Sequence, residues 1–186
     1  MATTVDFRNG MVLDIEGTLF SIAEFLHVKP GKGGAFVRTK LKNVLSGAIL
    51  EKTFRAGEKV TDVRLESRTM QYLYSDGSHY YFMDSNTFEQ FPVTEQIIGD
   101  QVKYLKENLE VTGIFKDDSL LMVELPFFIE LKIVETNPGL RGNTVSGGTK
   151  PAKLDSGATV NVPLFLNVGD VIKVDRRKNG YLERVS

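Results

Sequence analysis

Along this chain β-branched and aromatic residues gather in short runs bounded by Gly, Pro, Asn or Ser, a pattern that predicts strands. The first runs fall at 18–27 (TLFSIAEFLH), 35–41 (AFVRTKL) and 48–54 (AILEKTF). Further runs occupy 69–74, 80–84, 109–115, 119–124 and 127–135, and the last three occupy 158–163, 170–175 and 180–185. Turn signals sit between them: Asp76-Gly77, Asp117-Asp118 and Asn179-Gly180, whose residues tolerate the positive φ of tight two-residue turns. Only 97–108 (IIGDQVKYLKEN) carries a helical period, with Ile98, Val102 and Leu105 on one face. Many short strands with frequent turns predict an all-β protein made of small barrels or sandwiches.

Composition adds a domain division. The 186 residues suffice for one large domain or two to three small ones, and 41% apolar residues can build real cores. The net charge of −1 argues, as a total, against a basic nucleic-acid-binding protein, but it is an average over unlike segments. Residues 1–64 carry 10 basic and 7 acidic side chains, 65–128 carry 4 and 11, and 129–186 carry 9 and 6. This basic–acidic–basic order predicts three small domains meeting different partners, with boundaries at 1–64, 65–127 and 128–186. Neither boundary is a Pro/Gly/Ser-rich linker, so short connectors and a semi-rigid, elongated object are expected. The absence of cysteine excludes disulfides, thiol nucleophiles and thiolate metal sites. The start, MATTVDFRNG, lacks a signal-peptide pattern, and no apolar run is long enough for a membrane helix, so a cytoplasmic location is expected.

Nothing in the sequence makes a case for an enzyme. His27 and His79 stand apart and belong to no metal-ligating spacing, the carboxylates between Glu66 and Glu124 are scattered, and no catalytic string occurs. No metal and no cofactor is expected. GNTVSGGTK at 142–150 has Gly148 where a phosphate loop needs its lysine, and GKGG at 31–34 precedes a strand, so no helix N-terminus follows it.

The informative segment is VKPGKGGA at 28–35, between two strands. Pro30 stiffens the approach, and Gly31, Gly33 and Gly34 remove neighbouring side chains, leaving Lys32 alone on a narrow tip able to reach RNA phosphate or sugar oxygens. A plain hairpin turn using Gly for φ and Lys for solubility accounts for the spacing equally well. Behind the tip, Arg38, Lys40 and Lys42 alternate along one strand and so share a face, making a basic stripe of the kind that contacts a polyanion.

With these residues in view the chain resembles the bacterial elongation factor P family along its whole length. The motifs that carry the resemblance are KPGKGGA at 29–35, EKTFRAGEK at 51–59, MQYLYSDG at 70–77 and FMDSNTFEQ at 82–90. They continue with PGLRGNTVSGGTKPA at 138–152 and GATVNVPLFLNVGDVIKVD at 157–175. The resemblance implies three β-barrel domains, an SH3-like (KOW-type) domain followed by two OB-fold domains, in an L-shaped arrangement similar to tRNA. It implies a non-enzymatic translation factor, a monomer, that binds both subunits of the ribosome between the peptidyl and exit sites and relieves stalling at consecutive prolines. Lys32 then falls on the family's tip lysine near the CCA end of peptidyl-tRNA, a residue that a lysine-modifying enzyme extends in some members, and Lys29, Pro30, Gly31, Gly33 and Gly34 form its loop. Arg141, Gly142, Asn143, Thr144, Gly147 and Gly148 match the loop placed near the exit-site mRNA codon and the small subunit. The family string there is Gly-Asp-Thr; Asn143 loses that charge and gains a donor. Tyr181 and Arg184 match small-subunit contacts, with packing or solubility as the alternative role. A general OB-type single-stranded RNA-binding protein or RNA chaperone is the competing function; it would use Tyr72, Tyr74, Tyr80 and Tyr81, which lie in the acidic segment.

Overall fold

Period-2 burial is clearest in the strands at Phe36–Asn43, Phe128–Thr136 and Thr149–Leu154. A computed structural model gives the fold and describes residues 2–138 and 148–186. The chain divides into two units: Met1–Glu66 with Ile114–Leu121, and Ser67–Gly113 with Met122–Ser186.

The first unit holds β1 (Ala2–Thr3), β2 (Val12–Ile15), β3 (Thr18–Val28), β4 (Phe36–Asn43), β5 (Ile49–Arg55) and β6 (Lys59–Val63). They form one six-stranded sheet in the order β1-β6-β2-β3-β4-β5. In β4, Val37, Thr39 and Leu41 are buried while Arg38, Lys40 and Lys42 are exposed, as alternation across a pleated strand requires. The inward residues join Phe7, Leu13, Ile22 and Phe54 in a core where Phe7 meets Phe54 edge to face at 5.4 Å. A bulge between Ile22 and Glu24 keeps Ile22 and Phe25 on the inner side of the long β3. Asp14 accepts a 2.8 Å hydrogen bond from the Gly17 amide and lies 3.7 Å from the Lys116 ammonium.

The middle sheet runs β11-β10-β7-β8-β9, from β7 (Glu66–Ser75), β8 (Tyr80–Asp84), β9 (Gln90–Val93), β10 (Glu110–Lys116) and β11 (Ser119–Glu124). The last strands are β12 (Phe128–Thr136), β13 (Thr149–Leu154), β14 (Thr159–Pro163), β15 (Val171–Asp175) and β16 (Gly180–Arg184). They close a barrel in the order β12-β13-β14-β16-β15, parallel only between β14 and β16. Its core is Ile129, Leu131, Ile133, Leu154, Val160, Val162, Ile172 and Val174.

Three expectations need correction. The segment 97–108 is no continuous helix: α1 spans only Glu95–Ile98, and a 3-10 segment covers Gly99–Tyr104. Gly99 takes φ +66° and ψ −152°, a conformation open essentially to glycine alone, and it ends the α-helix at once. Ile98 and Leu105 are still buried, so the apolar spacing found the core but misread the backbone. Of the three turn signals, Asp117-Asp118 alone forms a two-residue turn, with φ +48° and +63°. Asp76-Gly77 instead sits in the four-residue connection 76–79, and Asn179 ends the four-residue connection 176–179 just before β16; Gly77 and Asn179 supply the positive φ. Strands β1, β2, β6, β9 and β13 escape the sequence pattern. They are short, and two contain proline: Pro92 lies on the edge strand β9, and Pro151 lies in the barrel strand β13.

Candidate nucleic-acid interface

The loop from Lys29 to Ala35 joins the two longest strands of the first sheet, β3 and β4, whose pairing runs to Val28 opposite Phe36. Residues Lys29 to Gly34 are all exposed. A methyl group built on Gly31 or Gly34 would meet nothing within 4 Å, and on Gly33 only the Pro30 ring at 3.9 Å. Gly33 takes φ +107°, so at this position the requirement is backbone conformation rather than space. Lys32 is thus an exposed cation flanked by glycines whose positions are open apart from the Pro30 ring.

Arg38, Lys40 and Lys42 lie on the outer face of the sheet, as the alternation predicts, but they are not equivalent cations. Strand register places Arg38 between Leu26 and Thr53, Lys40 between Glu24 and Glu51, and Lys42 between Ser21 and Ile49. Lys40 donates to Glu24 at 2.9 Å. Glu24, through that hydrogen bond and its charge, holds the Lys40 ammonium above the ordinary range, and Glu51 adds to the effect. Both partners are exposed, so the pair adds little stability. Its consequence is electrostatic: the stripe is interrupted at its centre. Sequence reasoning missed Glu24 and Glu51 because their proximity to Lys40 depends on the register of three strands. A shallow groove of about 180 Å³ follows the Glu24–Leu26, Arg38–Lys40 and Glu51 surface. A wider cleft of about 620 Å³, lined by Arg8 and Arg64 among others, is not lined by Lys32.

In the closed barrel, Tyr181 lies on β16 opposite Val174 and is half-buried. Arg184 forms a 3.0 Å ion pair with Asp170, so its guanidinium is already engaged within the barrel. Arg141, Gly142, Asn143, Thr144 and Gly147 lie outside the described residues; Gly148 leads into β13. Lys150, two residues on, is buried and donates to the Asn137 carbonyl at 2.8 Å, a structural lysine rather than a surface cation. The structure thus brings Lys32 and the β4 cations onto one sheet, with Tyr181 and Arg184 on another.

The fold is one that translation factors use. Eukaryotic translation initiation factor 5A from Methanococcus jannaschii matches with a TM-score of 0.52 at 22% identity, over 67% of this chain and 92% of that one. A translation initiation factor eif-5a family protein from Naegleria fowleri matches with a TM-score of 0.54 at 13% identity, over 67% of this chain and 96% of that one. Family models are more specific. The elongation factor P (EF-P) KOW-like domain matches residues 3–60, its OB domain 65–123, and the elongation factor P C-terminal domain 123–184. Elongation factor P of Natranaerobius thermophilus is 54% identical over 185 residues, covering 100% of this chain and 98% of that protein. Elongation factor P of Rhodococcus erythropolis is 55% identical over 186 residues, covering both chains fully. The chain belongs to the elongation factor P family, and it is a translation elongation factor rather than an enzyme.

Proposed function

We propose that this factor binds the ribosome between the peptidyl and exit sites, beside peptidyl-tRNA, and stimulates peptide-bond formation where consecutive prolines stall it. The observation that carries the reading is Lys32, a cation on an exposed glycine-flanked loop at the end of the β3–β4 hairpin. A loop this bare can enter a narrow space between RNA strands and bring one charge to sugar or phosphate oxygens of the tRNA CCA end. Proline's ring makes it a poor nucleophile and a poor donor. A body that holds the peptidyl-tRNA end in a reactive pose therefore lowers the barrier through orientation, while ribosomal RNA supplies the chemistry.

Within the same reading the factor works in the cytoplasm as a monomer. Arg38 and Lys42 face RNA beside the tip, while the loop at Arg141–Gly148, with Tyr181 and Arg184, faces the small subunit and the exit-site mRNA codon. Lys32 is the residue a modifying enzyme would extend, which adds reach and donors. Intact mass of the protein from its natural host reads out any such addition.

Lys32→Ala tests the proposal. The loop is exposed, so the variant should fold with unchanged circular dichroism. It should still fail to relieve stalling on a Pro-Pro-Pro reporter in reconstituted translation. Full rescue by this variant would remove Lys32 from the mechanism.

A further inference from the structure

A second basic surface lies far along the chain from Lys32. Residues 65–128 hold only four cations, Arg68, Lys103, Lys106 and Lys116, against eleven carboxylates. Two of those four, Lys103 and Lys106, lie on or just after the Gly99–Tyr104 segment. That segment is stitched to the turn between β15 and β16, where Arg176, Arg177 and Lys178 follow one another. The Tyr104 hydroxyl donates to the Asn179 side-chain oxygen, and the Lys106 ammonium donates to the Glu130 carbonyl. Five cations thus lie on the segments that these hydrogen bonds join.

Two half-exposed aromatic rings, Phe127 (55%) and Phe128 (49%), are part of this seam. They are braced by guanidinium groups. Arg176 donates to the Leu125 and Pro126 carbonyls at 2.9–3.1 Å and lies 5.4 Å from the centre of the Phe127 ring. Arg177 is gripped by the buried Asp175 at 2.8 and 3.0 Å, which holds its guanidinium 4.7 Å from Phe127 and 5.5 Å from Phe128. The Arg177 guanidinium is held in place by Asp175 before any ligand arrives, so little of its side-chain entropy is lost on binding. Asp175 cancels the charge of Arg177, and Glu124 opposes Arg176. Lys178 and Lys103 are exposed, and Lys106 spends its ammonium on a neutral carbonyl.

Fixed guanidinium and phenyl faces beside solvent-facing lysines have the chemistry that takes an unstacked base together with its phosphates. We infer that this seam is a further RNA-contact surface, separate from the Lys32 tip and from the loop proposed to face mRNA. A looped RNA strand lays a base against Phe128 and Arg177 while Lys103 and Lys178 meet the flanking phosphates. An acidic protein segment would satisfy the lysines but would leave the aromatic and guanidinium faces without a matching plane.

The inference rests on the ribosome-binding reading, and the absence of cysteine makes both testable together. A Lys178→Cys variant carries a single thiol to which a benzophenone photocrosslinker is attached. The labelled factor is bound to programmed ribosomes carrying peptidyl-tRNA and irradiated, and adducts are mapped by primer extension and mass spectrometry. Adducts on RNA are expected. Adducts on ribosomal protein alone, or none from a factor that co-sediments normally, would overturn the surface while leaving ribosome binding intact. In parallel, Lys103→Glu/Lys178→Glu should weaken ribosome binding about tenfold and flatten its salt dependence, with melting temperature unchanged. Binding equal to wild type would overturn the surface. A wild-type factor that does not co-sediment would overturn the ribosome-binding reading, and this inference with it.

Discussion

Lys32 owes its exposure to what its neighbours lack. Three glycines and a proline leave the loop bare, and only Gly33, at φ +107°, needs glycine for its backbone. Lys40 shows the opposite case, a cation whose charge is largely spent on Glu24 before any partner arrives. Asp175 is the clearest acidic counterpart. Two hydrogen bonds from the Arg177 guanidinium hold its carboxyl below the ordinary 3.8, with the Arg177 amide contributing. A depressed carboxylate stabilises the folded state above its unfolded pKa, and that contribution fades as the pH falls through the folded value. Asp175→Asn should therefore melt below wild type at neutral pH. The gap should narrow as the pH falls below the unfolded carboxylate range of about 4 and the folded carboxyl takes up its proton, leaving both forms with a neutral side chain. Thermal melts across that range measure it; a gap independent of pH would mean that packing, not charge, is lost.

At the scale of elements, the strands with strong alternation were legible and those without it were not. In β12 and β13 exposed and buried residues alternate cleanly, yet β13 was missed because Pro151 and two lysines weaken its apolar signal. The segment after β9 was misread for a different reason. Ile98, Val102 and Leu105 have helical spacing, but Gly99 turns the chain with φ +66° and splits α1 from the 3-10 segment. The two descriptions predict opposite signs for one substitution. In a continuous helix Gly99→Ala would stabilise by about 1 kcal/mol. In the observed geometry it should destabilise by about 1–3 kcal/mol, because alanine is strained at that φ and ψ. Denaturant unfolding of the variant decides between them.

At the scale of the whole molecule, the net charge of −1 conceals segments of +3, −7 and +3. The distribution, not the sum, governs which faces can approach RNA. The contacts divide the chain into two units, each with its own buried core. Calorimetry should accordingly resolve two unfolding transitions. Leu131 is fully buried in the closed barrel, and Leu131→Ala should cost about 2–5 kcal/mol. It should lower the transition of the second unit and leave that of the first in place. A single transition that shifts as a whole would show the two units to be thermodynamically coupled.

The sequence by itself determined the β character of the chain, the faces of β4, the bare Lys32 loop and, through its motifs, the family. Each is written in local order, as alternation, as turn residues or as a contiguous string. Tertiary structure alone decided that Glu24 and Glu51 flank Lys40, that Lys150 is buried, that Asp175 and Phe127 together hold Arg177, and that Tyr104 meets Asn179. Those neighbours lie between 2 and 75 residues apart, and strand register and barrel closure bring most of them together. A short-range pattern carries no record of which distant strand will lie alongside, so the charge a residue presents to a partner is settled only once the sheets have formed.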